Sequence, residues 1–198
     1  MAETILLQGP GWTIVQSDTH GPAVPYPAAV HDNGANHGFI DLRDRPELVA
    51  LIPEVQRANG LAELLREINA PGSALMSIGC ECSLFETTPE GEPACYVGGY
   101  VDVTFRDPAR NVGPPALIEL AKEILRRTWF PEEHHIGFEF WVEPLKHFFG
   151  LPDRYGVMVK LFGRGPAPEA AWLAFDQAAL AIAAAIRAVQ SGAPAPTP

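Results

Sequence analysis

Apolar residues in this chain switch twice from a period of two to a helical period, and this alternation limits the fold more than any other feature. Alternation of apolar and polar residues is typical of half-buried strands. The first alternating stretch contains Ile78, Cys80, Cys82 and Leu84, followed after a turn at residues 87–91 by Val97, Val101, Val103 and Phe105. The second contains Ile136, Phe138, Phe140 and Val142, followed by Val157, Val159 and Leu161. Each stretch is therefore predicted to form a β-hairpin.

Helical spacing follows each predicted hairpin. The first helical face consists of Leu117, Leu120, Ala121, Ile124 and Leu125. The segment from Pro168 to Gln190 is the strongest helix prediction, because large apolar residues recur on one side and alanines permit close packing. A further helix is expected from about residue 45, where Asp44 and Glu47 resemble a capping box, with a kink at Pro53. A short second helix is expected after Asn59-Gly60.

The two predicted hairpins open on similar sequences. Ile78-Gly79-Cys80-Glu81-Cys82 and Ile136-Gly137-Phe138-Glu139-Phe140 share Ile, Gly and Glu at an offset of 58 residues. Each also begins a strand-strand-helix series, and agreement in both sequence and element order indicates an internal repeat. We therefore predict a duplicated ββα unit, with one copy in residues 74–130 and the other in residues 134–190.

These units predict an α+β fold, a two-layer sandwich in which a four-stranded antiparallel sheet from the two ββα units carries the helices on one face. Residues 44–190 are expected to form a single α+β domain that starts with the helix near residue 45. Residues 1–43 contain many glycines, prolines and turn-forming residues, and are expected to be an extended lead-in that packs on the domain, with a short strand at residues 13–16. Residues 191–198 are expected to be a disordered tail.

The face of the predicted sheet away from the helices carries an unusual mixture of acidic and aromatic side chains. Glu81 and Glu139 occupy equivalent positions in the two units and should project from this face together with Asp102. Carboxylates attract cations by charge, and the rings of Tyr100 and Trp141 attract them through their π faces. The sequence therefore predicts a ligand-binding surface made of these five residues.

A simpler interpretation of the same face stays open. Glu81 or Glu139 could pair with Lys160 across neighbouring strands, or the face could be solvated and carry no ligand. A tryptophan exposed on a hydrated face would be unusual, which favours a pocket. The lead-in could cover this face and close that pocket.

Metal binding is a weaker prediction from the sequence. His31 and His37 lie in one loop segment, and His134 and His135 precede a predicted strand, so these four residues could supply nitrogen ligands. No established ligand spacing supports them. Cys80 and Cys82 are expected to point to the same apolar face as buried thiols, without the Cys-x-x-Cys spacing of zinc sites. These motifs therefore predict no cofactor and no metal.

Glycine-rich segments in the chain lack a recognised phosphate-binding pattern. Gly98-Gly99 is isolated, and Gly163-Arg164-Gly165 lacks the lysine of a phosphate loop and the full dinucleotide fingerprint. These glycines are expected to lie in turns.

Charge and cysteine content exclude several classes of partner. The formal net charge is -10, which repels phosphate backbones, so no nucleic-acid partner is expected. No apolar run reaches the length of a membrane span, and the N-terminus does not resemble a secretory signal. Three cysteines and a chain of 198 residues are typical of a cytoplasmic protein with reduced thiols. The expected partners are a small molecule or a protein, including a second copy in a homodimer.

The leading hypothesis is a noncatalytic binding domain for a small, cationic ligand. One alternative is an enzyme, either metal-assisted through the histidines or acid-base through the carboxylates, since burial would raise a carboxyl pKa. The other alternative is a protein-interaction module, such as a chaperone or toxin inhibitor, which an exposed apolar edge strand would favour.

Overall fold

The strands and helices of the computed structural model follow the alternation of apolar residues in most of the chain. The structure describes residues 3–31, 34–86, 95–128 and 136–193. The described strands are β1 (Glu3–Gly9), β2 (Trp12–Ser17), β3 (Gly21–Val24), β4 (Ala29–His31), β5 (Gly34–Asn36), β6 (Leu75–Glu86), β7 (Cys95–Phe105), β8 (Ile136–Phe148) and β9 (Tyr155–Gly165). The described α-helices are α1 (Asn59–Ile68), α2 (Pro115–Arg127) and α3 (Pro168–Ser191). The chain is therefore a mixed α+β fold.

The main sheet is larger than the sequence predicts. Its strand order is β1-β2-β8-β9-β7-β6, and β3 pairs with β8 beside this path. The prediction of a four-stranded sheet is wrong, because the lead-in contributes three more strands, and β2 pairs in parallel with β8 at Trp12 and Phe138. Short strands between glycines and prolines show little periodicity, and pairing with a strand far away in the sequence leaves no local signal.

The four predicted strands do form an antiparallel set at the centre of this sheet, in the order β8-β9-β7-β6. Two hairpins related by a two-fold axis would give this order, with β7 and β9 adjacent. The duplication itself stays a prediction. The predicted turn at residues 87–91 lies outside the described residues, as do residues 129–135 and most of the predicted tail.

The three helices cover one face of the sheet. Helix α3 packs mainly against β9 and β7, with α1 and α2 against its sides. Its residues Phe175, Ala178 and Ile182 are fully buried. Gly163 and Gly165 lie in β9, not in a turn as expected, and the backbone of α3 approaches them so closely that a side chain would collide with it. These glycines set the distance between the helix and the sheet.

Helix α3 is also the helix, among the described residues, that is long and apolar enough to cross a membrane. It has 24 residues and a mean hydropathy of 1.4. This finding is weak evidence for a membrane span, because the core helix of a globular domain passes the same test. The packing of α3 against β9 and α1 explains its apolar composition.

The helix expected from residue 45 is not formed. Two short 3-10 helices, Pro46–Leu51 and Pro53–Gln56, take its place, and neither has a side-chain cap. Asp44 has a positive φ of 57° and does not cap the first of them. Each proline lacks an amide hydrogen and disfavours α-helical geometry in the residue before it, so a continuous helix cannot pass through this segment.

Strand β6 contains a bulge that changes the face of one predicted core residue. Its register with β7 shifts between Ser77 and Gly79. A bulge inserts one extra residue into a strand. Side chains before and after that residue therefore do not follow the strict alternation between the two faces of the sheet. Ile78 therefore packs with Met76 and Leu145 in a small apolar cluster on the face away from the helices. Its predicted grouping with Cys80 on the helix side is wrong.

Candidate functional site

The five predicted ligand-binding residues share the sheet face opposite the helices. Register pairs place Glu139, Lys160, Tyr100 and Glu81 in one row that crosses β8, β9, β7 and β6. The adjacent row contains Trp141, Met158, Asp102 and Gly79. Equivalent glutamates thus stand at the two ends of one row, as the offset of the repeated sequence predicts.

Lys160 occupies the half of this face around Glu139 and Trp141. Its Nζ lies 3.4 Å from Glu139 Oε2 and 3.6 Å from the centroid of the Trp141 ring. Trp141 Nε1 donates a hydrogen bond of 2.8 Å to the same Glu139 oxygen. Lys160 is therefore the cation that Glu139 and Trp141 contact. This agrees with the simpler interpretation of the sequence, in which Glu139 pairs with Lys160 across neighbouring strands.

The lead-in covers part of the other half of this sheet face, near Gly79. Strand β3 pairs with β8 from Leu145 to Phe148, and Val24 at its end joins the apolar cluster that contains Ile78. The ring of Phe39 meets that of Tyr26 edge-on at 6.2 Å. This packing places Tyr26 over the sheet beside Gly79, where an ideal Cβ on the glycine would lie 3.5 Å from the tyrosine hydroxyl.

A cavity of about 480 Å³ opens between β6, the lead-in and the second 3-10 helix. Its volume is within the usual range for small-molecule sites, roughly 300–1,000 Å³. Residues 77–83 of β6 line one wall without interruption. The polar and aromatic side chains on the other described walls include Tyr26, His37, Glu54 and Tyr100. The cavity therefore reaches Glu81 and Tyr100, two of the five predicted residues, and leaves Glu139 and Trp141 outside.

The charged groups at the described cavity wall are acidic. Glu54 and Glu81 line it, and no lysine or arginine does. Burial is the main cause that raises the pKa of Tyr26 to about 12 and the pKa of Cys82 to about 12, and it raises the pKa of Tyr100 and Cys80 as well. These four groups are neutral near pH 7. The two glutamates therefore supply the negative charge.

Asp102 lies directly behind this wall. Its side chain is buried, with 6% of the residue exposed, and it has no hydrogen bond or ion pair to a described residue. Burial raises its pKa well above the ordinary value, and the charge of Glu143 raises it further. An ideal Cβ on Gly79 would lie 3.0 Å from Asp102 Oδ2, so the carboxyl stands next to the glycine and close to Tyr26.

Sequence reasoning did not find Glu143 among the site residues. It is only 4% exposed and lies beneath Gly21 of β3. Burial raises its pKa to about 7, although Lys160 lowers it. The sequence places Pro144 in the loop that follows the predicted strand, whereas β8 continues to Phe148. The period of two that runs through Glu139 and Trp141 would have placed Glu143 on the same face.

Asp102 and Glu143 do not line the cavity wall. A general acid or base must come within hydrogen-bond distance of its substrate. Direct proton transfer from either carboxyl to a ligand in this cavity therefore has no geometric support.

The predicted metal ligands are not brought together in the described part of the chain. His37 is exposed at the cavity wall, and the side chain of His31 is not described. His134 and His135 lie outside the described residues. Cys82 Sγ lies 3.8 Å from the Glu54 carbonyl oxygen, which fits a weak hydrogen bond in place of metal ligation. Among the described side chains, no three His, Cys, Asp or Glu residues are placed to hold a metal ion.

Comparison of the chain with models of known protein families, with curated proteins and with solved structures gave no match.

Proposed function

We propose that this protein is a noncatalytic binding protein that holds a small cationic ligand in the cavity beside β6. The observation that carries the proposal is the composition of the described wall, with Glu54, Glu81, Tyr26 and Tyr100 and no basic side chain except His37. Carboxylates and tyrosine rings in a partly desolvated cavity favour a cation over a neutral or anionic ligand. The ligand is an amine or a quaternary ammonium small enough for about 480 Å³.

Each wall residue has a separate role in this proposal. Glu81 supplies charge on the sheet face, where Tyr100 stands opposite to it on β7. Glu54 supplies charge from the second 3-10 helix. Tyr26 contributes an aromatic face from the lead-in, so closure of the cavity depends on the packing of β3, Tyr26 and residues 36–40. Pairing of the lead-in with β8 therefore supports the site as well as the sheet.

Glu81→Gln is expected to weaken binding of a small amine about tenfold, which corresponds to about 1.4 kcal/mol for one lost charge pair. Putrescine, agmatine and tetramethylammonium are suitable probes, with affinity measured by calorimetry or by amide chemical shifts. The Glu81 carboxylate has no described hydrogen bond or ion pair, so the variant should unfold at the same temperature as the parent.

Glu139→Gln is the matched control for this experiment. It makes the same chemical change at the equivalent position of the second hairpin, but Glu139 is paired with Lys160 and lies outside the cavity. Amine affinity should stay within about twofold of the parent. Equal weakening in both variants, or no binding of any amine by the parent, would contradict the proposed site.

Strand β1 provides an observation for a second function, the protein-interaction module. It is the last strand on its side of the sheet, and Ile5 and Leu7 are 60% and 42% exposed. Exposed apolar edge strands pair readily with other chains. A dimer that Leu7→Lys converts to a monomer, measured by sedimentation velocity, would favour this function. A monomeric parent protein would count against a homodimer through β1.

A further inference from the structure

Strand β6 is the last strand on the opposite side of the sheet, and its outer edge faces the cavity. Only β7 pairs with it among the described strands of the main sheet. Residues 77–83 line the cavity as one continuous run. The other described walls of the cavity come from several segments, whereas this wall is one extended strand. A ligand placed against it could therefore meet backbone amides and carbonyls as well as side chains.

Backbone groups on the outer edge of β6 have hydrogen-bond partners at the start of the strand and lack described backbone partners further along. The Ser77 amide donates to Asn69 Oδ1 at 3.1 Å, and the Leu75 amide donates to Ser73 Oγ at 3.0 Å. From Gly79 to Leu84, no described segment other than β7 makes a backbone hydrogen bond with the strand. Every second residue of an edge strand directs its N–H and C=O outward. These outward groups need a partner, which water or an added strand can supply.

The open stretch has the length of a short peptide. Gly79 to Leu84 spans about 17 Å at roughly 3.3 Å per residue, and an added strand of about five residues would cover it. The facing wall, which includes Phe39 and Ile40, lines the cavity without pairing with β6. Among the described residues, the outer edge of β6 is therefore open toward the cavity along this stretch.

Charge on both sides of the edge selects the type of peptide. Glu81 projects to the sheet face beside Tyr100. The backbone carbonyl of Glu54 contacts Cys82, and its carboxylate is near enough that, after burial, its charge also raises the pKa of the Cys82 thiol. Side chains of an added strand alternate between these two sides. A lysine or arginine placed on either side would meet a carboxylate, while an acidic peptide would be repelled.

We propose that the ligand is a short, extended peptide segment with a lysine or arginine, which adds to the outer edge of β6 as a further antiparallel or parallel strand. Backbone hydrogen bonds to residues 79–84 supply the affinity, and Glu81, Tyr100 and Glu54 select the basic side chain. Strand addition of this kind is a common mode of peptide recognition. The inference rests on the proposed function, because the same carboxylates recognise the cation.

The experiment compares three probes by amide chemical shifts of the full chain: N-acetyl-lysine N-methylamide, the peptide acetyl-Thr-Val-Lys-Val-Thr-amide, and its analogue with glutamine in place of lysine. The peptide is expected to bind at least tenfold more tightly than the lysine amide and than the glutamine analogue. It should also slow hydrogen exchange at alternate amides of residues 79–84, because a new strand protects one edge only.

Two N-methylated forms of the lysine peptide test the backbone directly. One carries methyl groups on both valine amides and the other on the threonine and lysine amides, so each form blocks one edge of the peptide. If the peptide adds as a strand, one form should bind no more tightly than the lysine amide. The other form should still bind more tightly than the lysine amide. Equal affinities of both forms would overturn the inference.

The remaining outcomes separate this inference from the proposed function. If the lysine amide binds and the peptide binds no more tightly, strand addition is wrong and cation binding stands. If neither probe binds, both proposals fail. If the glutamine analogue binds as well as the lysine peptide, selection of a basic side chain is wrong. A parent dimer joined through β6, detected as protection of residues 79–84 that disappears on dilution, would assign the edge to a second copy and overturn the inference.

Discussion

Replacing Gly163 by alanine is expected to lower the free energy of unfolding by about 3 kcal/mol, at the upper end of the usual cost of overpacking. The new Cβ would collide with the amide nitrogen of Phe175, and it would lie 2.6 Å from the carbonyl oxygen of Ala171 and 2.7 Å from Phe175 Cα. These atoms belong to the backbone of α3, so no side-chain rotation can relieve the contact. The helix must move away from β9 and lose core packing.

Thermal and chemical denaturation measure this loss. For a domain of this size, about 3 kcal/mol corresponds to a melting temperature roughly 10 °C lower. Gly137→Ala is the matched control, because Gly137 also lies in a strand of the sheet and an added Cβ there would have ordinary contacts of 3.6 Å or more. This control should match or slightly exceed the parent in stability. An unchanged melting temperature for the Gly163 variant would show that α3 does not approach β9 this closely.

The second large effect concerns the two buried acids and the pH. Glu143 has a pKa of about 7 in the folded protein and an ordinary value of 4.5. Between these values unfolding releases a proton, so the free energy of unfolding falls as the pH rises. The loss from this group is complete above about pH 7 and amounts to about 2–3 kcal/mol once screening by solvent at this partly buried carboxyl is allowed for. Asp102 has its pKa raised in the same direction and adds a further loss as the pH rises.

Glu143→Gln and Asp102→Asn should remove these losses, because neither amide ionises in the folded or the unfolded chain. We expect the Glu143 variant to match the parent near pH 4 and to exceed its free energy of unfolding by about 2–3 kcal/mol at pH 8. The two effects should not add, since the charge of Glu143 is one cause of the raised pKa of Asp102.

Urea denaturation between pH 4 and pH 9 is the measurement for these variants. Glu119→Gln is the control: the hydrogen bond from Lys122 lowers the pKa of this exposed carboxyl, so the variant should keep the pH dependence of the parent above about pH 5. A parent stability that rises from pH 5 to pH 8, or a Glu143 variant with the same slope as the parent, would contradict burial of the acid.

Local patterns were sufficient for the four central strands, for the three α-helices and for the faces of most site residues. Alternation through Val97 and Val101 predicts β7, and the repeated Ile-Gly-x-Glu-x sequence predicts that Glu81 and Glu139 project from one face, where the register places them. Periodicity is a property of neighbouring residues, so a sequence contains it directly. The same local reasoning fails at Ile78, because one inserted residue in a strand reverses the alternation.

Which residues meet across the sheet was decided only by the tertiary structure. Two glutamates at equivalent positions have different surroundings, since Lys160 neutralises Glu139 whereas Glu81 faces an acidic cavity. The cavity itself requires Tyr26 from the lead-in to lie over β6, which depends on pairing between β3 and β8. Contacts between segments far apart in the chain follow from the packing of the whole domain. The amino-acid sequence alone therefore determined the four central strands, the three α-helices and the acidic character, while tertiary packing determined which carboxylates are paired and which line the cavity.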